Sequence, residues 1–158
     1  MSTIADLCHD LPIATFEAGE VLLAEGRATG RLYVLIDGSV EILKGDLQIN
    51  TVADRGALLG DMSVLLDIPH MATVRAVSRC NAYVTEEGDA FLQAHPEIAY
   101  LLARMLAQRL HGVTSYLVDL KQQFEGEDGH LGMVDEILES LLHEPAQDFT
   151  PGSDRDPG

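Results

Sequence analysis

Short apolar runs separated by glycines dominate the first half of the chain. Between residues 13 and 84, β-branched and aliphatic side chains occur in brief groups, and glycine or polar turn residues divide these groups at close intervals. This pattern is typical of many short strands. We predict strands at residues 21–24, 32–37, 39–43, 48–52, 73–77 and 81–85.

A turn signal lies between two of these predicted strands. Asp37 and Gly38 separate the strand at residues 32–37 from the strand at residues 39–43. A type I′ turn needs positive φ at both central residues, and Asp-Gly is a preferred pair for it. We therefore predict a two-residue hairpin here, within an antiparallel roll.

After residue 88 the apolar period becomes helical. Pro96 suits the first turn of a helix, and a heptad-like seam follows it on one face: Leu106, Leu110, Val113, Leu117 and Leu120. These residues predict one helix over residues 96–123. The seam packs either on the domain's own sheet or on a second copy of the chain, and its length favours a dimer. Gly112 within it costs roughly 1 kcal/mol relative to alanine, which a close helix crossing or a hinge would explain.

The last part of the chain is acidic and less apolar. A glycine-rich stretch at residues 126–132 predicts a linker, and a short amphipathic helix is predicted after it, with these residues on one face: Met133, Val134, Ile137, Leu138, Leu141 and Leu142. Residues 145–158 are predicted to be disordered. We thus expect a domain at residues 1–123, a linker with a short helix at 124–144, and a tail at 145–158.

Charge narrows the choice of partners. The 158 residues include 26 Asp and Glu against 10 Lys and Arg, which gives a formal net charge of −16. Binding to nucleic acid requires Lys and Arg to replace phosphate counterions, and an anionic membrane surface poses the same difficulty. We expect neither nucleic acid nor a membrane as a partner.

Few residues offer catalytic or metal-binding chemistry. Cys8 and Cys80 are far apart, so we expect reduced, buried thiols and no disulfide. The six histidines never occur as His-x-His, and no nucleophile elbow or phosphate-binding loop is present. We expect no catalytic residue, no metal and no cofactor. The N-terminus lacks a basic stretch followed by an apolar run, so the cytoplasm is the expected location.

The order of glycines and apolar residues resembles the cyclic nucleotide-binding domain family over residues 13–123. The opening strands are represented by Phe16, Gly19, Val21, Leu22, Gly26, Leu32, Tyr33, Leu35, Gly38, Val40 and Ile42. The family's phosphate-binding cassette is represented by Gly56, Gly60, Asp61, Met62, Pro69, Ala72, Thr73 and Val74. The resemblance implies an α+β fold: an antiparallel double-stranded β-helix, or jelly-roll-like β-roll, with flanking helices and a long C-terminal helix.

The resemblance also implies a ligand site. In such a cassette a glycine leads into a short helix, here residues 60–66, whose backbone N–H groups face an anion. The family's acidic residue, which binds the ribose, corresponds to Asp61, and its arginine, which binds the cyclic phosphate, corresponds to His70. Met71 replaces a small residue, and Arg75 and Arg79 are expected on the surface. The implied ligand-binding residues are Gly60, Asp61, Met62, Ser63, His70, Met71 and Ala72, with Thr114 and Ser115 on the long helix.

His70 shapes the expected function. An imidazole with an ordinary pKa of about 6.5 is mostly neutral at pH 7 and is a poor substitute for arginine. We expect a stand-alone regulatory module, similar to the sensor domain of catabolite-activator-type regulators without their DNA-binding domain, that binds cyclic AMP weakly or in an altered way. The alternative is a degenerate domain that does not bind nucleotide and serves as a homodimerisation or protein-docking scaffold.

Overall fold

Two antiparallel sheets form the body of the protein. A computed structural model of the chain describes residues 3–123 and 130–142. The strands of that part are β1 Ile13–Phe16, β2 Val21–Leu23, β3 Leu32–Asp37, β4 Val40–Lys44, β5 Leu47–Val52, β6 Leu58–Leu59, β7 Thr73–Ala76 and β8 Cys80–Thr85. They are ordered β1-β8-β3-β6 in one sheet and β2-β7-β4-β5 in the other. The predicted α+β fold with a β-roll is confirmed.

Helices precede, interrupt and follow the roll. They are α1 Ile4–Leu7, α2 Asp61–Leu66, α3 Gly88–Ala94, α4 Pro96–Gln123 and α5 His130–Leu142. The predicted long helix is confirmed with its bounds. The predicted linker is wrong at its C-terminal end, because residues 130–132 already belong to α5. The remainder of that linker and the predicted tail at residues 145–158 lie outside the described residues.

The chain divides into two compact units. Met1–Ala99 includes both sheets with α1, α2 and α3, and Tyr100–Gly158 includes most of α4 together with α5. Within the second unit, Lys121 forms an ion pair with Asp135. A close crossing at Gly112 is not seen among the described residues, since a Cβ there would meet no atom within 4 Å.

The core of the first unit lies between the two sheets. Alternate residues of a strand face opposite sides of a sheet, and Tyr33 and Leu35 of β3 point into this core. Leu32 and Val34, on the other face of β3, are also buried. The inner cluster consists of Leu22, Leu23, Tyr33, Leu35, Val40, Leu59, Val74, Ala76, Cys80 and Ala82.

The predicted hairpin at Asp37-Gly38 is wrong. β3 pairs with β6 and β8, whereas β4 pairs with β5 and β7, so the chain passes here from one sheet to the other. Gly38 has a φ of 84°, but Asp37 does not share the positive φ that a type I′ turn requires. A Cβ at Gly38 would overlap the carbonyl oxygen of Arg79. Glycine is therefore needed here because the backbones of Gly38 and Arg79 lie too close for a side chain.

The tight hairpin of this region lies between β4 and β5. Lys44 and Leu47 pair across it, and Gly45 has a φ of 61°, as the first position of a type II′ turn requires. β5 is the outer strand of its sheet and is almost entirely exposed. Leu47 and Ile49 are 67% and 54% exposed on it.

Candidate functional site

Gly60 begins the cassette at a point where the backbone is tightly packed. Its φ of 93° is left-handed, and a Cβ there would lie 2.7 Å from the carbonyl oxygen of Arg31 and 3.1 Å from Cδ1 of Leu23. A side chain at this position would therefore be strained and would also clash. The turn from β6 into α2 needs glycine because it abuts both β2 and the residue before β3.

The short helix α2 turns two polar side chains inward. Asp61 and Ser63 are buried, whereas Met62 between them is exposed. The Ser63 hydroxyl donates to the carbonyl of Gly60 at 3.1 Å. The helix ends at Asp67 in the left-handed conformation, with a φ of 55°. The acidic position of the cassette is thus occupied by a carboxylate that is buried beside Gly60.

His70 lies inside the cassette and is only 4% exposed. Its Nδ1 is 2.8 Å from the hydroxyl of Ser63, and its Nε2 is 2.6 Å from the hydroxyl of Thr29. Its backbone N–H donates to the carbonyl of Arg27 at 2.9 Å, and its carbonyl accepts from Gly26 N–H at 2.8 Å. Both the ring and the backbone of His70 are therefore fixed against the loop between β2 and β3.

The surrounding donors assign the imidazole tautomer. Because the Ser63 hydroxyl gives its hydrogen to Gly60, it accepts from Nδ1–H of His70. The Thr29 hydroxyl accepts from the backbone N–H of Arg31 at 3.1 Å and can donate to Nε2. This assignment rests on the hydrogen-bond network. A neutral imidazole satisfies every partner in it.

Electrostatics also keep His70 neutral. Burial lowers its pKa below the ordinary value, because the charged imidazolium loses its hydration, and the charge of Arg31 lowers the pKa further. The group at the cassette's arginine position thus carries no positive charge at neutral pH.

The other expected site residues lie in different surroundings. Met71 is exposed, and its carbonyl accepts from Nζ of Lys44 at 2.7 Å. Ala72 is half-buried. The structure brings Gly60, Ser63 and His70 together through hydrogen bonds, with Asp61 beside them. Thr114 is half-buried and Ser115 is exposed on α4, in the second unit.

Two residues near the cassette were not foreseen from the sequence. Thr29 binds the His70 ring, and Arg31 flanks Gly60 through its carbonyl. Nε of Arg31 donates to Oε1 of Glu86 at 2.7 Å. Arg31 stands directly before β3, where strand alternation does not yet apply, and nothing local in the sequence links Thr29 to a histidine 41 residues later.

Neither a metal site nor a membrane span is found in the part of the chain that the structure describes. No group of three or more His, Cys, Asp or Glu side chains could hold a metal ion there. Among the same residues, no helix has the length and apolar character needed to cross a bilayer. Both cysteines are free and buried, and burial raises the pKa of Cys8 to about 11.

The two sheets form a β-roll with a glycine-led cassette between β6 and β7. The profile of the cyclic nucleotide-binding domain matches residues 13–94, which is just over half of the chain. The chain therefore belongs to the cyclic nucleotide-binding domain family.

Known proteins agree with this assignment. The CRP-like cAMP-activated global transcriptional regulator of Mycobacterium tuberculosis is 30% identical over 126 residues, covering 75% of this chain and 56% of that protein. This chain thus spans a little over half the length of that relative. The N-terminal domain of a transcriptional regulator from Streptomyces coelicolor A3(2) shares 28% identity, with a TM-score of 0.51, and the match covers 69% of this chain and 82% of that one.

A third match concerns the fold alone. The structure described as Sp-2Cl-cAMPS bound to PKAR CBD2 has a TM-score of 0.55 and 24% identity, and covers 66% of this chain and 69% of that one. At this identity the likeness supports the β-roll alone.

Proposed function

We propose that this chain is a regulatory module that binds a cyclic nucleotide, cyclic AMP in the first instance, with an affinity lowered by the loss of the cassette arginine. The observation that carries the proposal is the Gly60 turn, which is closed against Arg31 and Leu23 and followed by the buried carboxylate of Asp61. The mycobacterial relative, described as cAMP-activated, supports the choice of ligand.

His70 accounts for the lowered affinity. Its ring nitrogens already bind Ser63 and Thr29, and its lowered pKa keeps it neutral. Loss of a charge-assisted hydrogen bond costs roughly 1.5–3 kcal/mol. This is equivalent to about a ten- to hundred-fold weaker complex.

Calorimetric titration with cyclic AMP and cyclic GMP tests this proposal. Wild type should give saturable heat, and His70→Arg should bind cyclic AMP about ten- to hundred-fold more tightly, because a guanidinium restores the missing charge. Asp61→Ala should weaken binding, since the ribose loses its acceptor. Circular dichroism establishes that each variant is folded.

The proposal has a clear contrary result. If folded wild type and folded His70→Arg both give no heat and no thermal shift at millimolar concentrations of either nucleotide, this chain does not bind cyclic nucleotides. A tighter His70→Arg complex would instead support a pocket that lacks only its counter-charge.

One observation favours a second function, a homodimerisation or docking scaffold. Leu110 and Val113, in the seam of α4, are 46% and 51% exposed. Half-exposed apolar residues at heptad spacing support a helix that packs on a second copy of the chain. Such a scaffold would not respond to nucleotide, so the same titrations separate the two functions.

A further inference from the structure

We propose that Arg31 gives the ligand's phosphate a weaker substitute for the positive charge that the cassette arginine supplies elsewhere in the family, and that Glu86 pairs with Arg31 until the ligand arrives. This inference rests on the proposed function. It assigns a binding role to a residue that lies outside the cassette and just before β3.

Arg31 abuts the cassette through its backbone. Its carbonyl oxygen is the atom nearest to the missing Cβ of Gly60, at 2.7 Å. Its N–H donates to the Thr29 hydroxyl at 3.1 Å, and that hydroxyl also contacts the His70 ring at 2.6 Å. One residue therefore touches the glycine of the cassette directly and its histidine through a single hydroxyl.

The side chain of Arg31 lies at the end of the β3–β8 pair, where Leu32 pairs with Thr85 and Arg31 then binds Glu86. Tyr33, two residues later, points into the core, where its ring meets Phe16 edge to face at 5.6 Å. Glu86 raises the pKa of Arg31 through its hydrogen bond and its charge, and Tyr33 raises it further. Besides burial, the charge of Arg31 also lowers the pKa of His70, the residue at the cassette's arginine position.

The bond between Arg31 and Glu86 is exchangeable. The two side chains are 42% and 68% exposed, and ion pairs in water typically contribute only about 0–1 kcal/mol. The cyclic phosphate presents two non-bridging oxygens that share one negative charge, so it can bind the fork of a guanidinium in the same bidentate way as a carboxylate. An anionic ligand can therefore take the place of the Glu86 carboxylate.

Two other cationic side chains of the roll, Lys44 and Arg75, each have partners of their own. Nζ of Lys44 is bound by the carbonyl of Met71 at 2.7 Å and faces Glu25 at 3.4 Å. Arg75 follows the inward-facing Val74 on β7 and therefore points to the outer side, where it pairs with Glu41 at 2.7 Å. Arg75 is also 42% exposed. It is a matched control for Arg31.

Calorimetric titration of the full chain with cyclic AMP tests the role of Arg31. Arg31→Gln should weaken binding at least about ten-fold, the effect of losing one charge-assisted contact. Arg31→Lys should fall between wild type and Arg31→Gln, because it keeps the charge and loses the fork. Glu86→Gln should bind several-fold more tightly, since it removes the competing carboxylate, and Arg75→Gln should bind as wild type does.

Each outcome decides the question. Wild type that binds while folded Arg31→Gln binds equally well overturns the role of Arg31 and leaves the proposed function intact. Equal losses in Arg31→Gln and Arg75→Gln, or weaker binding by Glu86→Gln, also overturn it. If Arg31→Gln does not fold, the order of Glu86→Gln, wild type and Arg31→Lys decides alone. Absence of binding by both wild type and His70→Arg defeats both proposals.

Discussion

His70 is satisfied by two hydroxyl groups, Ser63 and Thr29, and this makes a neutral imidazole the stable state of the cassette. An arginine at the same position would present a permanent charge and up to five donors. With arginine at this position the site would neutralise the charge of an anion. With histidine the side chain instead forms neutral hydrogen bonds to Ser63 and Thr29. In such a site any charge for an anion has to come from elsewhere, and Arg31 is near enough to affect His70.

Stability should fall on mild acidification because of His70. Its pKa is lowered in the folded protein by burial and by Arg31, so the unfolded chain binds the proton more readily. The free energy of unfolding is then highest above the ordinary histidine pKa of about 6.5 and declines as the pH falls through that value toward the lower folded pKa.

Urea unfolding at about pH 7.5 and about pH 5.5 measures this decline. His70→Gln, which cannot titrate in this range, should lose less stability between the two conditions than wild type does. His111→Gln, at an exposed position of α4 outside this cluster, is the control and should keep the wild-type difference. An equal loss in wild type and His70→Gln would contradict the assignment.

At the scale of elements, glycine has opposite roles in the cassette and in the long helix. Gly60 has a φ of 93° and faces the carbonyl of Arg31, whereas Gly112 lies inside α4 with no described atom within 4 Å of an added Cβ. The first position forbids a side chain and the second has room for one. The same substitution should therefore change stability in opposite directions.

Gly60→Ala should lower the free energy of unfolding by about 1–3 kcal/mol, the usual cost of a strained backbone position. Gly112→Ala should raise it by roughly 0.5–1 kcal/mol, because alanine favours the helix. Chemical denaturation of both variants measures the two changes. A stabilised Gly60→Ala, or a destabilised Gly112→Ala in a monomeric protein, would contradict the structure.

The sequence was sufficient to predict those elements whose signals lie within the element or directly beside it. The bounds of β3 and α4 follow from apolar period, flanking glycine and Pro96. β6 has only two residues, and α3 begins at a glycine without a side-chain cap, so neither gives a periodic or capping signal. The sheet change at Gly38 depends on pairing with distant strands, which local turn chemistry does not determine.

The cassette was partly predictable for the same reason. Gly60 and Asp61 are adjacent in sequence, and family spacing identifies both. The partner of His70 in the loop before β3 is 41 residues away, and Arg31 pairs with Glu86 across 55 residues. Contacts between residues this far apart form only when the roll closes. The cassette could therefore be predicted from the sequence, whereas the residues that surround it could not.

At the scale of the whole molecule, we expect the seam of α4 to hold two copies together. Leu117→Asp should shift the protein toward monomer, because a carboxylate in an apolar seam loses its hydration on association. Gln108→Asp introduces the same charge at an exposed position on the opposite side of the helix and should leave association unchanged. Sedimentation equilibrium measures both. A monomeric wild type, or equal association of wild type and Leu117→Asp, would contradict a dimer through this seam.

The outer strand β5 has a consequence for handling the protein. Its outer backbone edge pairs with no strand of the described residues, and Leu47 and Ile49 are exposed on it, so it is a template on which the β5 strand of another molecule can add. Repulsion between copies that each carry a formal charge of −16 opposes this addition at neutral pH. Acidification protonates the carboxylates and removes that protection, so precipitation should begin at this edge when the buffer becomes acidic.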